Sequence, residues 1–162
     1  MGRDKRFVAV HRGGTLSKED HRLLATWAAD CAAHVLPVFE EHTSENGGAE
    51  RAVDDRPRSA VAVVRGWARG EETVGAARGA AVAAHAAARD AADVAATAAA
   101  RAAGHAVATA HMADHSLTAM NYAVKAAKGA GRSPEEERAW AVERIPDGLR
   151  DLVLSALERK RF

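Results

Sequence analysis

Two histidines near the middle of the chain have the spacing of metal ligands on a helix. His111 and His115 are four residues apart, which places their side chains on one face if both are helical. Together with a carboxylate such as Asp114 they could hold a metal ion. A helix boundary is also expected between them, however, and no third ligand stands at a typical spacing. The alternative is that these histidines cap helices or form hydrogen bonds within the core.

Other polar side chains share this four-residue spacing, including Asp30 with His34 and His85 with Arg89. Arginines in alanine-rich surroundings need polar partners, so Arg78, Arg89 and Arg101 should pair with His85, His105 or Asp30. The same residues could instead converge on a pocket. Taken together, the candidate binding residues are Asp30, His34, Arg58, His85, Arg89, His111, His115 and Tyr122.

The single cysteine is a candidate nucleophile. Cys31 has His34 three residues further on, which could serve as its base. It also lies on an apolar stripe with Trp27 and Val35, which favours a buried, inert thiol. The sequence contains no glycine-rich phosphate loop, paired-cysteine zinc motif or nucleophile elbow. We therefore expect no cofactor, and the sequence favours a binding protein over an enzyme without deciding between them.

Two arginines flank Pro57 where a helix is expected to begin. Arg58 could pair with a carboxylate on a neighbouring helix, such as Asp30, and so contribute to packing. Alternatively, Arg56 and Arg58 could contact an anion or a protein partner, because guanidinium groups make bidentate hydrogen bonds.

Charge and composition restrict the class of protein. The formal net charge is +1, whereas a nucleic-acid-binding domain usually carries a clear excess of basic residues. An acidic stretch over residues 40–55 could steer a basic partner or could be an ordinary solvated loop. No apolar run approaches the roughly 20 residues that cross a membrane, and no secretory signal is evident. One cysteine fits a reducing compartment. We expect a cytoplasmic protein, and the alanine and arginine bias suggests a GC-rich bacterial genome.

The apolar periodicity is helical throughout, and the turn residues divide it into six or seven helices. We predict an arm over residues 1–16 and a single all-α domain over residues 17–162. Pro37 should kink or end the first helix. The remaining helices should begin near Asp55, Thr73, Asp93, Asp114, Ser133 and Asp147. We expect the first helix to be capped by Ser17, and four later ones by Thr73, Asp93, Asp114 and Ser133.

Alanine dominates the centre of the chain, with 21 of the 35 residues over 76–110. Alanine favours helix but buries little area, so large side chains must come from elsewhere. Small side chains also let helices approach closely, which predicts two alanine-faced helices at the centre of a helical bundle. The expected large core residues are Trp27, Phe39, Trp67, Val82, Val107, Tyr122 and Trp140. Leu23 is expected on the apolar stripe of the first helix.

Several of these segments resemble a family of bacterial immunity proteins of the immunity-protein-five-like type, often misnamed as an exonuclease subunit. The similarity covers roughly residues 15–128. The motifs that carry it are Leu16–Leu24, Trp27–Leu36, Asp55–Arg58, Trp67–Glu71, Ala83–Arg89, Ala102–His111 and His115–Ala126. At position 105 we expect glutamine in the family, and this chain has histidine. The resemblance implies a small helical domain that neutralises a cognate toxin.

Two hypotheses follow. The first is a partner-binding immunity protein, which predicts no deep polar pocket and an exposed acidic or apolar surface patch. The second is a small helical metal- or ligand-binding protein or enzyme, for example in a biosynthetic pathway, which predicts that Asp30, His85, His111 and His115 surround a cavity. Either could form a homo-oligomer.

Overall fold

The computed structural model describes residues 2–45 and 53–160, and this part of the chain forms one all-α bundle. The fold class predicted from the periodicity is therefore confirmed. Three short 3-10 helices occur at Lys5–Phe7, Val10–Arg12 and Asp147–Leu149. The α-helices are α1 (Lys18–Glu45), α2 (Arg56–Ala68), α3 (Val74–Asp90), α4 (Val94–Ala108), α5 (His115–Gly129), α6 (Pro134–Glu143) and α7 (Arg150–Arg159).

Side-chain capping explains where four of the helices begin. The side chains of Ser17, Thr73, Asp93 and Ser133 each accept a hydrogen bond from the backbone N–H three residues on. These bonds satisfy donors that the first helical turn leaves without an intrahelical partner. All four caps were predicted from the sequence.

One other predicted cap is wrong. Asp114 precedes α5, but its side chain forms no hydrogen bond with the helix backbone. The Asp114 carboxylate instead accepts a hydrogen bond from Arg3 Nε at 2.8 Å. A charged donor forms a stronger hydrogen bond with a carboxylate than a backbone N–H does, which accounts for the difference.

Pro37 was predicted to kink or end α1 near its last turns. It does not end the helix, which continues to Glu45. Pro37 is on the exposed side, where a carbonyl that has lost its backbone partner can reach water. Val38 and Phe39, directly after it, are 5% and 1% exposed. Their burial holds the last turns of the helix against the core.

Helix α4 is at the centre of the bundle and packs against α1, α2, α3 and α5. Eleven of its 15 residues are buried, and nine of these are alanine. Of the large residues expected in the core, Trp27, Phe39 and Val107 are buried, whereas Trp67, Tyr122 and Trp140 are only partly buried. Val82 and Leu23 are exposed, so the prediction of Val82 as a core residue and of Leu23 on the apolar stripe of α1 is wrong. Val82 shares the solvent side of α3 with Arg78 and Arg89, which are also exposed.

The N-terminal segment, expected to be an irregular arm, contains two 3-10 helices and packs on the bundle. Phe7 and Leu16 are 1% and 4% exposed. Arg6 donates a hydrogen bond to Ser155 Oγ on α7 at 2.8 Å. Residues 2–16 therefore contribute directly to the core.

Much of the predicted acidic stretch, residues 46–52, lies outside the described residues. At its edges, Glu40 pairs with Arg58, and Asp54 pairs with Arg56 at 2.6 Å. None of the helices in the ranges 2–45 and 53–160 has an apolar run long enough to cross a bilayer.

Candidate functional site

An open groove runs along the outer face of α3, with a volume of about 580 Å³. We call it the α3 groove. Helix α3 contributes one stripe of residues at spacings of three, four, seven and eleven, and α4 and the start of α5 supply the opposite wall. The lining residues are Arg78, Ala81, Val82, His85, Arg89, Arg101, Ala108, His111 and His115.

His85 is fixed between Arg101 and the backbone of α4. Arg101 Nη1 donates a hydrogen bond to His85 Nδ1 at 2.8 Å, as the sequence predicted for this pair. Because arginine can only donate, Nδ1 must be the unprotonated nitrogen of the ring. The ring lies directly over Gly104, where an added Cβ would come within 2.6 Å of His85 Cε1. Burial, with Arg101 and Arg89 nearby, lowers the pKa of His85.

A chain of imidazoles continues from His85 into the bundle. The ring of His105 contacts His85 edge-on and is stacked nearly parallel to Tyr122, with centroids 4.9 and 5.3 Å away. The Nδ1 atoms of His105 and His115 are 3.1 Å apart, so one donates and the other accepts. Burial and the neighbouring histidines lower the pKa of His105 to about 3. Burial lowers that of His115 to about 4, against an opposing effect of Asp114. Both rings are therefore neutral at pH 7.

His111 joins the α3 groove to a second, smaller hollow of about 80 Å³. Its ring contacts His115 at 5.1 Å, and burial together with Arg78 lowers its pKa. Its Nδ1 atom is buried and has no hydrogen-bond partner within the described part of the chain. In the small hollow, His21 Nε2 donates to the Thr109 carbonyl at 2.6 Å.

The arginines of the α3 groove differ from most of those elsewhere. Arg56 and Arg65, for example, each pair with a carboxylate within 2.8 Å. In contrast, Arg78 and Arg89 are exposed and form no ion pair with any residue of 2–45 or 53–160. The prediction that they pair with histidine or aspartate is therefore wrong for these two. None of the described groove-lining residues carries a carboxylate, so the groove is cationic.

Four of the predicted site residues are not among those that line the groove: Asp30, His34, Arg58 and Tyr122. Asp30 accepts a hydrogen bond from Arg65 Nη1 at 2.8 Å, and Arg58 pairs with Glu40. The predicted pair of Arg58 with Asp30 is thus wrong. Asp30 and Arg58 instead tie α2 to different turns of the long helix α1, more than two helical turns apart.

His34 belongs to a separate cluster between α1 and α6. Its Nδ1 is 2.6 Å from the Glu137 carboxylate, which is 4% exposed, and its ring stacks on Trp140 at 3.6 Å. The guanidinium of Arg144 lies 4.0 Å from the centre of the Trp140 ring. This cluster attaches α6 to the bundle.

Cys31 is 1% exposed in the core, and burial raises the pKa of its thiol well above the usual range. A buried neutral thiol is a poor nucleophile. Of the two predictions for Cys31, the buried, inert thiol therefore fits the structure better than the nucleophile.

Metal binding by His111, His115 and Asp114 finds no support in the geometry. The Asp114 carboxylate is bound to Arg3. No group of three or more histidine, cysteine, aspartate or glutamate side chains in the described ranges is arranged to hold a metal ion.

The structure thus brings together His85, Arg89, His111 and His115, with Tyr122 behind them, and separates Asp30, His34 and Arg58. The predicted site omitted Arg78, Val82, Arg101 and His105. Gly104 follows two alanines in the middle of α4 and directly precedes His105. A glycine at such a position was a sequence signal that a large side chain packs against the backbone of α4 there. Val82 gave no such signal, because an isolated valine among alanines is typical of a core position.

Comparison with known families gives one match. The family described as "Imm-5 like putative immunity protein" matches residues 14–148. This range contains every residue that lines the α3 groove. No curated protein and no solved structure matches the chain.

Proposed function

The chain belongs to the family of Imm-5 like putative immunity proteins, and from this premise we propose that it binds and neutralises a cognate bacterial toxin. The observation that carries the proposal is the family match over residues 14–148, most of the bundle. In this proposal the active species is the folded chain bound to its toxin in the cytoplasm of the producing bacterium. The chain acts by occupying the toxin surface.

The exposed surface contains what a protein interface needs. Val82 is 68% exposed and is flanked along α3 by Arg78 and Arg89. Protein interfaces have an apolar centre with a polar rim, and they favour arginine over lysine. The predicted acidic patch over residues 40–55 supports the proposal less, because its described carboxylates include Glu40 and Asp54, which pair with arginines of this chain.

Co-expression tests the proposal directly. Each candidate toxin gene found beside this gene in its genome would be induced in a bacterial host with and without this chain. We expect growth to be restored by the chain, and the two proteins to co-purify in a stoichiometric complex. Absence of both rescue and complex for every adjacent toxin candidate would refute the proposal.

A second candidate function, a small-ligand-binding protein or enzyme, is favoured by one observation: three imidazoles and three guanidinium groups line one groove. We expected the arginines of the alanine-rich helices to form hydrogen bonds with histidine or aspartate inside the bundle. Arg101 does so with His85, whereas Arg78 and Arg89 do not. Elemental analysis of the purified protein and thermal melts with phosphate, citrate and nucleotides test this candidate. A melting shift with one of these anions that disappears in His111→Ala would favour it over toxin binding.

A further inference from the structure

The charge of the α3 groove restricts what it can bind. Its guanidinium groups belong to Arg78, Arg89 and Arg101, and the imidazole of His85 accepts a hydrogen bond from Arg101. His111 and His115 add neutral rings that can donate or accept. With no carboxylate among the described lining residues, the groove attracts anionic groups and repels cationic ones.

The shape of the groove favours an extended ligand. Arg78 and Arg89 are eleven residues apart on α3, which corresponds to about 16 Å along the helix. Val82 lies between them and is 68% exposed, and the buried residues Ala81 and Ala108 line the floor of the groove. Small-molecule sites enclose most of their ligand, whereas this groove is open to solvent along its length. A segment of a protein fits such a surface better than a metabolite does.

We infer that the α3 groove docks an acidic segment of the toxin in which carboxylates flank an aliphatic side chain. The inference rests on the proposed function, because it takes the toxin as the partner. The carboxylates pair with the guanidinium groups of Arg78 and Arg89, where bidentate hydrogen bonds set the position of the segment. The aliphatic side chain packs on Val82 and covers it from water.

Matched variants separate the groove from the rest of the surface. The double variant Arg78→Glu/Arg89→Glu and the single variant Val82→Asp change exposed groove residues. Arg138→Glu and Val94→Asp are controls, because both residues are exposed and lie outside the groove. Binding of the co-purified toxin would be measured by titration calorimetry at two salt concentrations.

We expect the dissociation constant to rise about 10- to 100-fold in each groove variant and less than about threefold in each control. Wild-type binding should weaken at higher salt, because part of it comes from exposed charges. If the toxin binds all variants as tightly as wild type, the inference is overturned while the proposed function stands.

A peptide probe makes the groove testable without the toxin. We would use a fluorescent peptide of about eight residues with aspartates about 16 Å apart when extended and leucine between them. A peptide with lysine in place of each aspartate is the control. The assigned chemistry is supported if only the acidic peptide binds and if this binding is lost in Arg78→Glu/Arg89→Glu. If the acidic peptide binds in this way but no toxin does, only the proposed function is refuted.

A fluorescent single-stranded DNA of similar length tests the competing occupant. If the DNA binds more tightly than the acidic peptide and depends on the same arginines, the groove is a nucleic-acid site and the inference is overturned. If wild type binds neither toxin nor acidic peptide, both the inference and the proposed function are overturned.

Discussion

Replacing Gly104 with alanine tests how closely the His85 ring packs on α4. A Cβ at this position would be 2.6, 2.7 and 2.9 Å from His85 Cε1, Nε2 and Nδ1, whereas carbon atoms in good contact are about 3.5–4.0 Å apart. The ring must therefore move by about 1 Å. Such a movement breaks the 2.8 Å hydrogen bond with Arg101.

The expected change in stability follows from three contributions. Overpacking costs about 1–3 kcal/mol, and loss of a partly exposed hydrogen bond costs about 1 kcal/mol. Alanine in a helix gains about 1 kcal/mol over glycine. We therefore expect Gly104→Ala to lower the free energy of unfolding by about 1–3 kcal/mol, measured by urea denaturation followed by circular dichroism.

Two further variants complete the experiment. Gly79 is inside α3, and an added Cβ would meet no atom within 4 Å, so Gly79→Ala should raise the free energy of unfolding by roughly 0.5–1 kcal/mol. Removal of the ring in His85→Ala should make Gly104→Ala stabilising in that background. The reasoning is refuted if Gly104→Ala stabilises the wild type as much as Gly79→Ala does, or if His85→Ala leaves its effect unchanged.

Three other predictions concern the buried polar groups. Because folding lowers the pKa of His105 to about 3 and that of His115 to about 4, the unfolded chain binds more protons below about pH 6.5. Without screening, each ring would cost about 2 kcal/mol of stability between pH 7 and pH 5. Because both rings are partly exposed and water screens their charge, we expect about 2 kcal/mol for the two together. The cost should be smaller in His105→Gln, measured by urea denaturation, and equal pH profiles would contradict this. Cys31 should react with a thiol reagent only in denaturant, and rapid labelling of the native protein would show an accessible thiol. Glu137→Ala should cost about 2–3 kcal/mol, because it leaves His34 and Arg132 without their shared carboxylate, whereas Glu136→Ala on the exposed side should change the thermal stability little.

Most of the fold could be predicted from the sequence, because local signals determine it. The caps at Thr73, Asp93 and Ser133 act on neighbouring backbone, and alanine favours helix at any depth. The prediction failed where a distant residue competes for a local group. Asp114 was expected to cap α5, but it bonds to Arg3, which is 111 residues away in sequence.

The candidate site was harder to predict for the same reason. The four-residue spacing of His85 and Arg89 places both on the face of α3 that lines the groove. His111 and His115 also lie together, although His111 is in the turn before α5 and not on that helix. Spacing could not show which helices face one another, and so the prediction included Asp30, His34 and Arg58 in a site from which the packing separates them. In an alanine-rich helix the buried and exposed faces have almost the same composition, so the exposure of Val82 is visible only in the structure.

The most direct test of the central claim, that the α3 groove is the binding surface for the toxin, is a chemical-shift map. Amide shifts of the ¹⁵N-labelled protein would be followed as unlabelled toxin is added. We predict the largest changes along residues 78–89 and around His111 and His115, at the end of the groove. Large changes confined to α6 and α7, with none along α3, would contradict the claim.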